Sequence, residues 1–257
     1  MSAVRRQSVV FIDLDHTLLE GPFETVVFPM LVGEMSKKCG IDYIDLLTMV
    51  RQENRRRQND PAFSAVQAMD WDDIFSQTAQ RYGICLQINA LDLVLAHCNP
   101  PHTTLHEGAR EALGALVENK PDRALVLATK GLIKYQRPLI QALGLTAFFD
   151  DILTPDTSNA LKNTVDFYSH WPSSTHLQIM VGDDYLDDVL PANAFGFKTV
   201  WLQRSEQVRS INGSPPHSPV AITKESGIPH VQPDAVISSL YELPRVISRL
   251  EHESLSN

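Results

Sequence analysis

Four short apolar runs restrict what this chain can fold into: "VVFI" (Val9 to Ile12), "ALVLAT" (Ala124 to Thr129), "LQIMVGD" (Leu177 to Asp183) and "KTVWLQ" (Lys198 to Gln203). Each has the length of a strand and is nearly continuous in apolar character, the pattern of a strand buried on both faces. Helical periodicity separates them in "EGAREALGALVEN", "GLIKYQRPLIQALG", "NALKNTVDFYSHW" and "YLDDVLPANAFG". Strands alternating with helices of that length predict βαβ units, hence an α/β fold with a Rossmann-like parallel sheet core flanked by helices. Such sheets bind ligands outside the carboxyl ends of their strands. There the runs stop in polar residues: Asp13 to Asp15, Thr129 with Lys130, and Asp183 with Asp184.

The stretch from about Pro22 to His106 is patterned differently. "ETVVFPMLVGEMSKKCG", "DYIDLLTMVRQENRRRQ", "MDWDDIFSQTAQRYG" and "INALDLVLAHC" carry apolar residues at helical spacing, and no strand stands out. Residues 21–103 are therefore expected to form a smaller all-helical cap domain, inserted into a catalytic core made of residues 1–20 and 104–257. Paired prolines in "NPPHTTLHEG" stop the last cap helix and return the chain to the core. A Ser-, Pro- and Gly-rich segment, 205–231, is expected to be a long flexible loop within the core. "PDAVISSLYELPRVISRL" then offers a short last strand and a closing helix.

At 257 residues and 43% hydrophobic, the chain can bury a sizeable core. Its 22 Lys and Arg against 31 Asp and Glu give a net charge of -9, which repels a phosphate backbone, so nucleic acid is a poor partner. Cys39, Cys85 and Cys98 are too few and too scattered for a disulfide framework, and are expected as buried thiols in a reducing cytoplasm. "MSAVRRQS" and the run after it fit neither a signal peptide nor an anchor. "VVFPMLVG" falls well short of the roughly 20 residues that span a bilayer. A cytoplasmic protein with no membrane partner is the expectation, and oligomeric state is not encoded in any pattern here.

The acids carry the chemistry. Asp13 and Asp15 sit two positions apart, so on an extended strand they converge, and two such carboxylates must share a proton or face a cation. "GDDYLDD" brings Asp183, Asp184, Asp187 and Asp188 to the end of another strand. Carboxylate and carbonyl oxygens are the usual shell of Mg²⁺, an ion often held beside a substrate phosphate. With a metal present, one carboxylate can act as nucleophile and form an aspartyl-phosphate, while a second protonates the leaving oxygen and then deprotonates the attacking water. Thr129 can supply a hydroxyl and an N–H, Gly131 can let a phosphate approach closely, and Lys162, in a helical stretch, can supply charge.

In order and spacing, "DLDHT", "LATKG", Lys162 and "VGDDYLDD" resemble the four motifs of the haloacid dehalogenase-like hydrolase superfamily, most closely its phosphatase branch with a helical cap between motifs one and two. The resemblance spans nearly the whole chain. It implies that Asp13 is the nucleophile and Asp15 the general acid/base, with Thr17 a structural residue after the turn. It further implies that Thr129 and Lys162 bind phosphate, and that Asp13, the backbone carbonyl of Asp15 and Asp183 hold Mg²⁺. Either Asp187 or Asp188 fits the fourth motif, and Asp184 is equally a helix cap. Many relatives follow the motif-three lysine with a proline, whereas "ALKNTVDFY" does not, so Lys130 is an alternative amine. The implied function is a Mg²⁺-dependent phosphatase acting on a small phosphorylated metabolite. A phosphomutase of the same family and a non-catalytic phospho-ligand-binding relative are the alternatives. A dehalogenase is disfavoured, because that branch lacks the second acid.

Other signals have plainer readings. "RQENRRRQ", Arg51 to Gln58, reads as a solvated helix face before it reads as a surface that attracts anions. His97, Cys98, His102 and His106 lack zinc spacing. Trp71, Phe75 and Tyr82 lie at helical spacing and are expected in a core.

Overall fold

A computed structural model describes residues 7–118, 122–171, 177–204 and 231–255. The first apolar run becomes β1 (Ser8–Ile12), and every residue in it is buried. β2 (Leu19–Glu20) follows, then five helices: α1 (Phe28–Cys39), α2 (Tyr43–Asn59), α3 (Ala65–Met69), α4 (Trp71–Gln80) and α5 (Ala90–His97). The chain returns through β3 (Thr104–Leu105), α6 (Ala109–Glu118), β4 (Arg123–Ala128), α7 (Ile133–Ala142), β5 (Asp151–Leu153) and α8 (Pro155–Ser158). It ends with β6 (Leu177–Gly182), α9 (Leu190–Ala194), β7 (Lys198–Leu202), β8 (Ala235–Ile237) and α10 (Leu243–Leu255).

Six strands form one sheet in the order β5-β4-β1-β6-β7-β8, with every pairing parallel. Phe11 of β1 stands in register with Val126 of β4 on one side and Met180 of β6 on the other. The strand order reverses at β1, which makes the carboxyl ends of β4, β1 and β6 the topological switch point where a doubly wound sheet opens its binding crevice. Alternate β1 residues feed opposite faces, as the two-residue period of a strand requires. Val10 and Ile12 pack with Leu113, Leu139 and Ile247 from α6, α7 and α10, whereas Val9 and Phe11 pack with Phe167, Tyr168, Ala192 and Phe197. Away from the crevice, Arg123 donates to both carboxylate oxygens of Glu251, at 2.9 and 2.7 Å, and so ties β4 to α10.

The helical insertion leaves and re-enters through the antiparallel pair β2–β3, where Leu19 faces Leu105. Side-chain caps start its helices: Asp42 accepts from the Ile44 N–H, Ser64 and Gln67 form a capping box, and Asn89 accepts from the Asp92 N–H. An aromatic group of Phe23, Phe28, Trp71 and Phe75 fills the insertion next to the sheet, and Tyr135 of α7 meets Phe23 edge-on. The Tyr135 hydroxyl donates to Asp70 at 2.9 Å and accepts from the Asp72 N–H at 2.9 Å. Beside it, Lys134 reaches Asp70 and Asp72 at 2.8 and 2.9 Å.

Several expectations need correction. "NALKNTVDFYSHW" is not a helix: α8 ends at Asn159, whose φ of 52° turns the chain, and only Val165–Tyr168 forms a single 3₁₀ turn. Lys162 therefore stands on a turn. Cys85 is exposed, and Cys39 and Cys98 are only half-buried. Tyr82 is exposed in the turn after α4, while Trp71 and Phe75 join the aromatic group. Residues 205–230 of the expected loop lie outside the described residues. Among the described residues, no helix is long and apolar enough to cross a membrane.

Candidate active site

Because β4, β1 and β6 are neighbours, whatever follows each of them meets at one place. Asp13 follows β1, its N–H donating to the Val181 carbonyl at 2.9 Å and its side chain almost fully buried. Lys162 Nζ donates to Asp13 Oδ1 at 2.5 Å and lies 2.7 Å from Asp188 Oδ1. Carboxylate oxygens of Asp13, Asp183 and Asp188 all fall within 4.8 Å of one another. Three carboxylates against one ammonium leave this buried cluster with a surplus of negative charge. An all-oxygen donor set with that surplus fits a hard divalent cation such as Mg²⁺.

The electrostatics express the same strain. Burial and the nearby Asp13 push the Asp183 carboxyl up to about 7. Burial raises Asp188 well above the usual carboxylate range, although Lys162 opposes it. Burial also disfavours the Lys162 ammonium, but Asp13 and Asp188 outweigh that cost and hold it charged.

Each acid has its own support. Thr17 Oγ1 donates to Asp183 Oδ1 and accepts from the Asp183 N–H, both at 3.1 Å, so the turn after β1 is clasped to the end of β6. Trp201 Nε1 donates to the Asp183 carbonyl at 2.8 Å. Arg204 donates to the carbonyls of His16 and Thr17. The turn itself needs His16 at a φ of 62°, a left-handed conformation uncommon outside glycine.

"GDDYLDD" divides its acids. Asp184 caps the following turn, accepting from the N–H groups of Leu186 and Asp187 at 2.8 and 3.2 Å. The turn Tyr185–Val189 is a π-helix, and Asp188 faces inward from it to accept the Asp184 N–H at 3.0 Å. Asp187 instead pairs with Lys130 at 2.5 Å on the more exposed rim. Of the two candidate amines, Lys162 is buried against Asp13, and Lys130 is half-exposed against Asp187.

Thr129 follows β4 and is buried, its N–H donating to the Leu153 carbonyl at 3.1 Å. Its hydroxyl accepts from the Gly131 N–H at 3.2 Å. The space beside Gly131 is taken by a side chain: a Cβ there would overlap the Gln136 amide. The missing Cβ at this glycine makes room for Gln136. That amide donates to Asp15 Oδ2 at 2.7 Å. Burial, followed by the proximity of Asp13, raises the Asp15 carboxyl above its usual range.

Sequence reasoning missed Gln136, Trp201, Arg204 and the need for Gly182, where a Cβ would collide with the Asp188 carboxylate. Only the pairing of a glycine with a bulkier polar residue could have hinted at two of these, and the spacing gives no period. The basic run is largely absorbed in ion pairs: Arg51 with Glu24, Arg56 with Glu53 and Asp60, and Arg57 with Glu53 and Asp73. His97 and His102 meet edge-on, and the only group of metal-ligating side chains among the described residues is the Asp13 cluster.

No family model matches the chain, and no curated protein matches it in sequence. Solved structures do. A HAD phosphatase from Thermococcus onnurineus superposes with a TM-score of 0.66 at 23% identity, covering 94% of this chain and 97% of that one. The putative HAD-hydrolase YfnB from Bacillus subtilis, solved bound to magnesium, gives 0.58 at 16% identity over 94% and 99%. L-2-haloacid dehalogenase from Xanthobacter autotrophicus gives 0.57 at 17% over 94% and 98%. The chain thus has the fold of the haloacid dehalogenase-like hydrolases along nearly its whole described length, as its four motifs led one to expect.

Proposed function

We propose that the protein is a Mg²⁺-dependent phosphatase that hydrolyses a small phosphomonoester through an aspartyl-phosphate on Asp13. The observation that carries this reading is the convergence of Asp13, Asp183, Asp188 and Lys162 in one buried cluster, with a second acid, Asp15, held separately on Gln136. A dehalogenase needs only the nucleophilic acid, whereas ester hydrolysis needs a proton donor for the leaving oxygen, and Asp15 supplies one.

Asp13, the Asp15 carbonyl, Asp183 and Asp188 are the groups that would hold Mg²⁺, which when bound neutralises phosphoryl charge that these acids would otherwise repel. Asp13 attacks phosphorus as the ester P–O bond breaks, and the Asp15 carboxyl gives its proton to the departing oxygen. Asp15, now ionised, takes a proton from water. That oxygen attacks the same phosphorus, the bond to Asp13 breaks, and inorganic phosphate leaves with Asp13 restored. Lys162 offers positive charge to the transferred phosphoryl oxygens, and Thr129 a hydroxyl. The helices between β2 and β3 act as a cap that closes the crevice against water and sorts substrates.

The test is a panel of phosphorylated metabolites assayed with Mg²⁺ and compared by kcat/KM. Asp13→Asn abolishes hydrolysis on this reading while leaving the fold intact, and unchanged turnover in that variant would refute it.

A further inference from the structure

Gln136 is a buried amide, 2% exposed, in the first turn of α7. Its Nε2 donates to Asp15 Oδ2 at 2.7 Å and stands 3.4 Å from Thr129 Oγ1, so one side chain spans the groups that follow β1 and β4. Its Oε1 is buried without a partner among the described residues, a desolvation cost that a purely packing residue would avoid. Gly131 leaves room for the amide by lacking a Cβ, because any larger residue there would displace it. The two residues before Gln136 grip the cap: Lys134 and Tyr135 bond Asp70 and Asp72. The helix that anchors the insertion therefore also aims the acid.

We infer that Gln136 is a positioning residue that holds the Asp15 carboxyl in place for proton transfer to the leaving oxygen. The inference rests on the phosphatase reading. Its amide is the only hydrogen-bond partner that the Asp15 side chain has among the described residues, so without it the carboxyl is free to rotate off the reacting oxygen. The proton matters most when the leaving alkoxide or phenoxide is basic, because a stable leaving anion departs without help. Loss of positioning therefore has a signature that loss of packing lacks: it grows with the basicity of the leaving group.

The experiment compares Gln136→Met, which keeps the shape of the side chain, with wild type on 4-nitrophenyl phosphate and phenyl phosphate in Mg²⁺. The expected result is a kcat/KM loss at least about tenfold larger on phenyl phosphate than on the nitrophenyl ester, with Asp15→Asn showing the same bias more strongly. Equal losses on the two esters, or no loss, would overturn the inference, since a structural role moves both alike. Should Gln136→Met fail to fold, Gly131→Ala displaces the amide from the other side and must give the same bias. A folded wild type that hydrolyses neither of these esters nor any member of the metabolite panel overturns the phosphatase reading and the inference with it, whereas an active wild type with equal losses overturns the inference alone.

Discussion

Gly182 and Asp188 occupy adjoining space so closely that a Cβ on residue 182 would collide with the Asp188 carboxylate. The last residue of β6 is thus a glycine because the acid six positions on must fold back over it. Gly182→Ala displaces that carboxylate from the Asp13 and Asp183 cluster without touching either directly. Mg²⁺ affinity, measured by calorimetric titration, is expected to fall roughly ten- to a hundredfold, the usual cost of disturbing groups around a metal site. An unchanged affinity would remove Asp188 from the proposed Mg²⁺ ligands.

Lys162 is the single cation in contact with Asp13 and Asp188 among the described residues. Removing one partner of a buried charge pair costs about 3–5 kcal/mol, because the remaining charges stay buried uncompensated. Lys162→Met should lower the unfolding midpoint accordingly, and Mg²⁺ should recover more stability in the variant than in wild type, since a divalent cation then carries the whole compensation. A thermal melt with and without Mg²⁺ reads both effects, and an equal Mg²⁺ shift in the two proteins would contradict the charge balance described above.

What the sequence made readable was whatever lies next to a buried strand. Asp13, Thr129 and Asp183 each end an apolar run, and an apolar run locates itself. Lys162 was placed by motif order alone, and its surroundings were misread as helix because Leu161, Val165 and Tyr168 mimic helical spacing while Asn159 turns the chain just before them. β5 and α3 were missed because three and five residues carry too little periodicity. Asp187 and Asp188 could not be separated from sequence, since a π-turn, not a regular helix, decides which of them faces inward. Beyond its pairing with Gly131, Gln136 gave no signal, because its hydrogen-bond partners lie on two other segments.

Tyr135 joins the sheet side of the molecule to the helical insertion through one oxygen that both donates and accepts. Tyr135→Phe keeps the ring against Phe23 but removes one hydrogen bond each from the Asp72 N–H and the Asp70 carboxylate, which keep their bond to one another at 3.1 Å and that of Lys134 to Asp70. A loss of about 0.5–1.5 kcal/mol is expected, read as a lower urea midpoint. Limited proteolysis should cut the insertion sooner in the variant, because its anchorage to α7 is weakened. Wild-type behaviour in both measurements would mean that Lys134 alone suffices to hold Asp70 and Asp72.

Glu53 is the acid at the centre of the cap's ion pairs, bonded to Arg56 at 2.9 and 3.1 Å and to Arg57 and Arg81 at 3.0 Å. Hydrogen bonds from Arg56, then from Arg57 and Arg81, hold its carboxyl down at about 2, against an ordinary 4.5, although burial opposes them. A carboxyl depressed in the folded state stabilises the fold fully above its unfolded value, and that contribution disappears as pH falls through the folded one. The window is therefore pH 4.5 down to 2. Glu53→Gln should lose this increment at neutral pH and show a flatter acid limb, so that the stability curves of variant and wild type converge toward pH 2. Denaturant titrations between pH 2 and 7 test it: parallel curves would show that Glu53 titrates alike in the folded and unfolded chains. Because Arg57 is completely buried and pairs with this same carboxylate, the acid sensitivity should appear first as loosening of α2 against α4, measurable as faster amide exchange there than in the sheet.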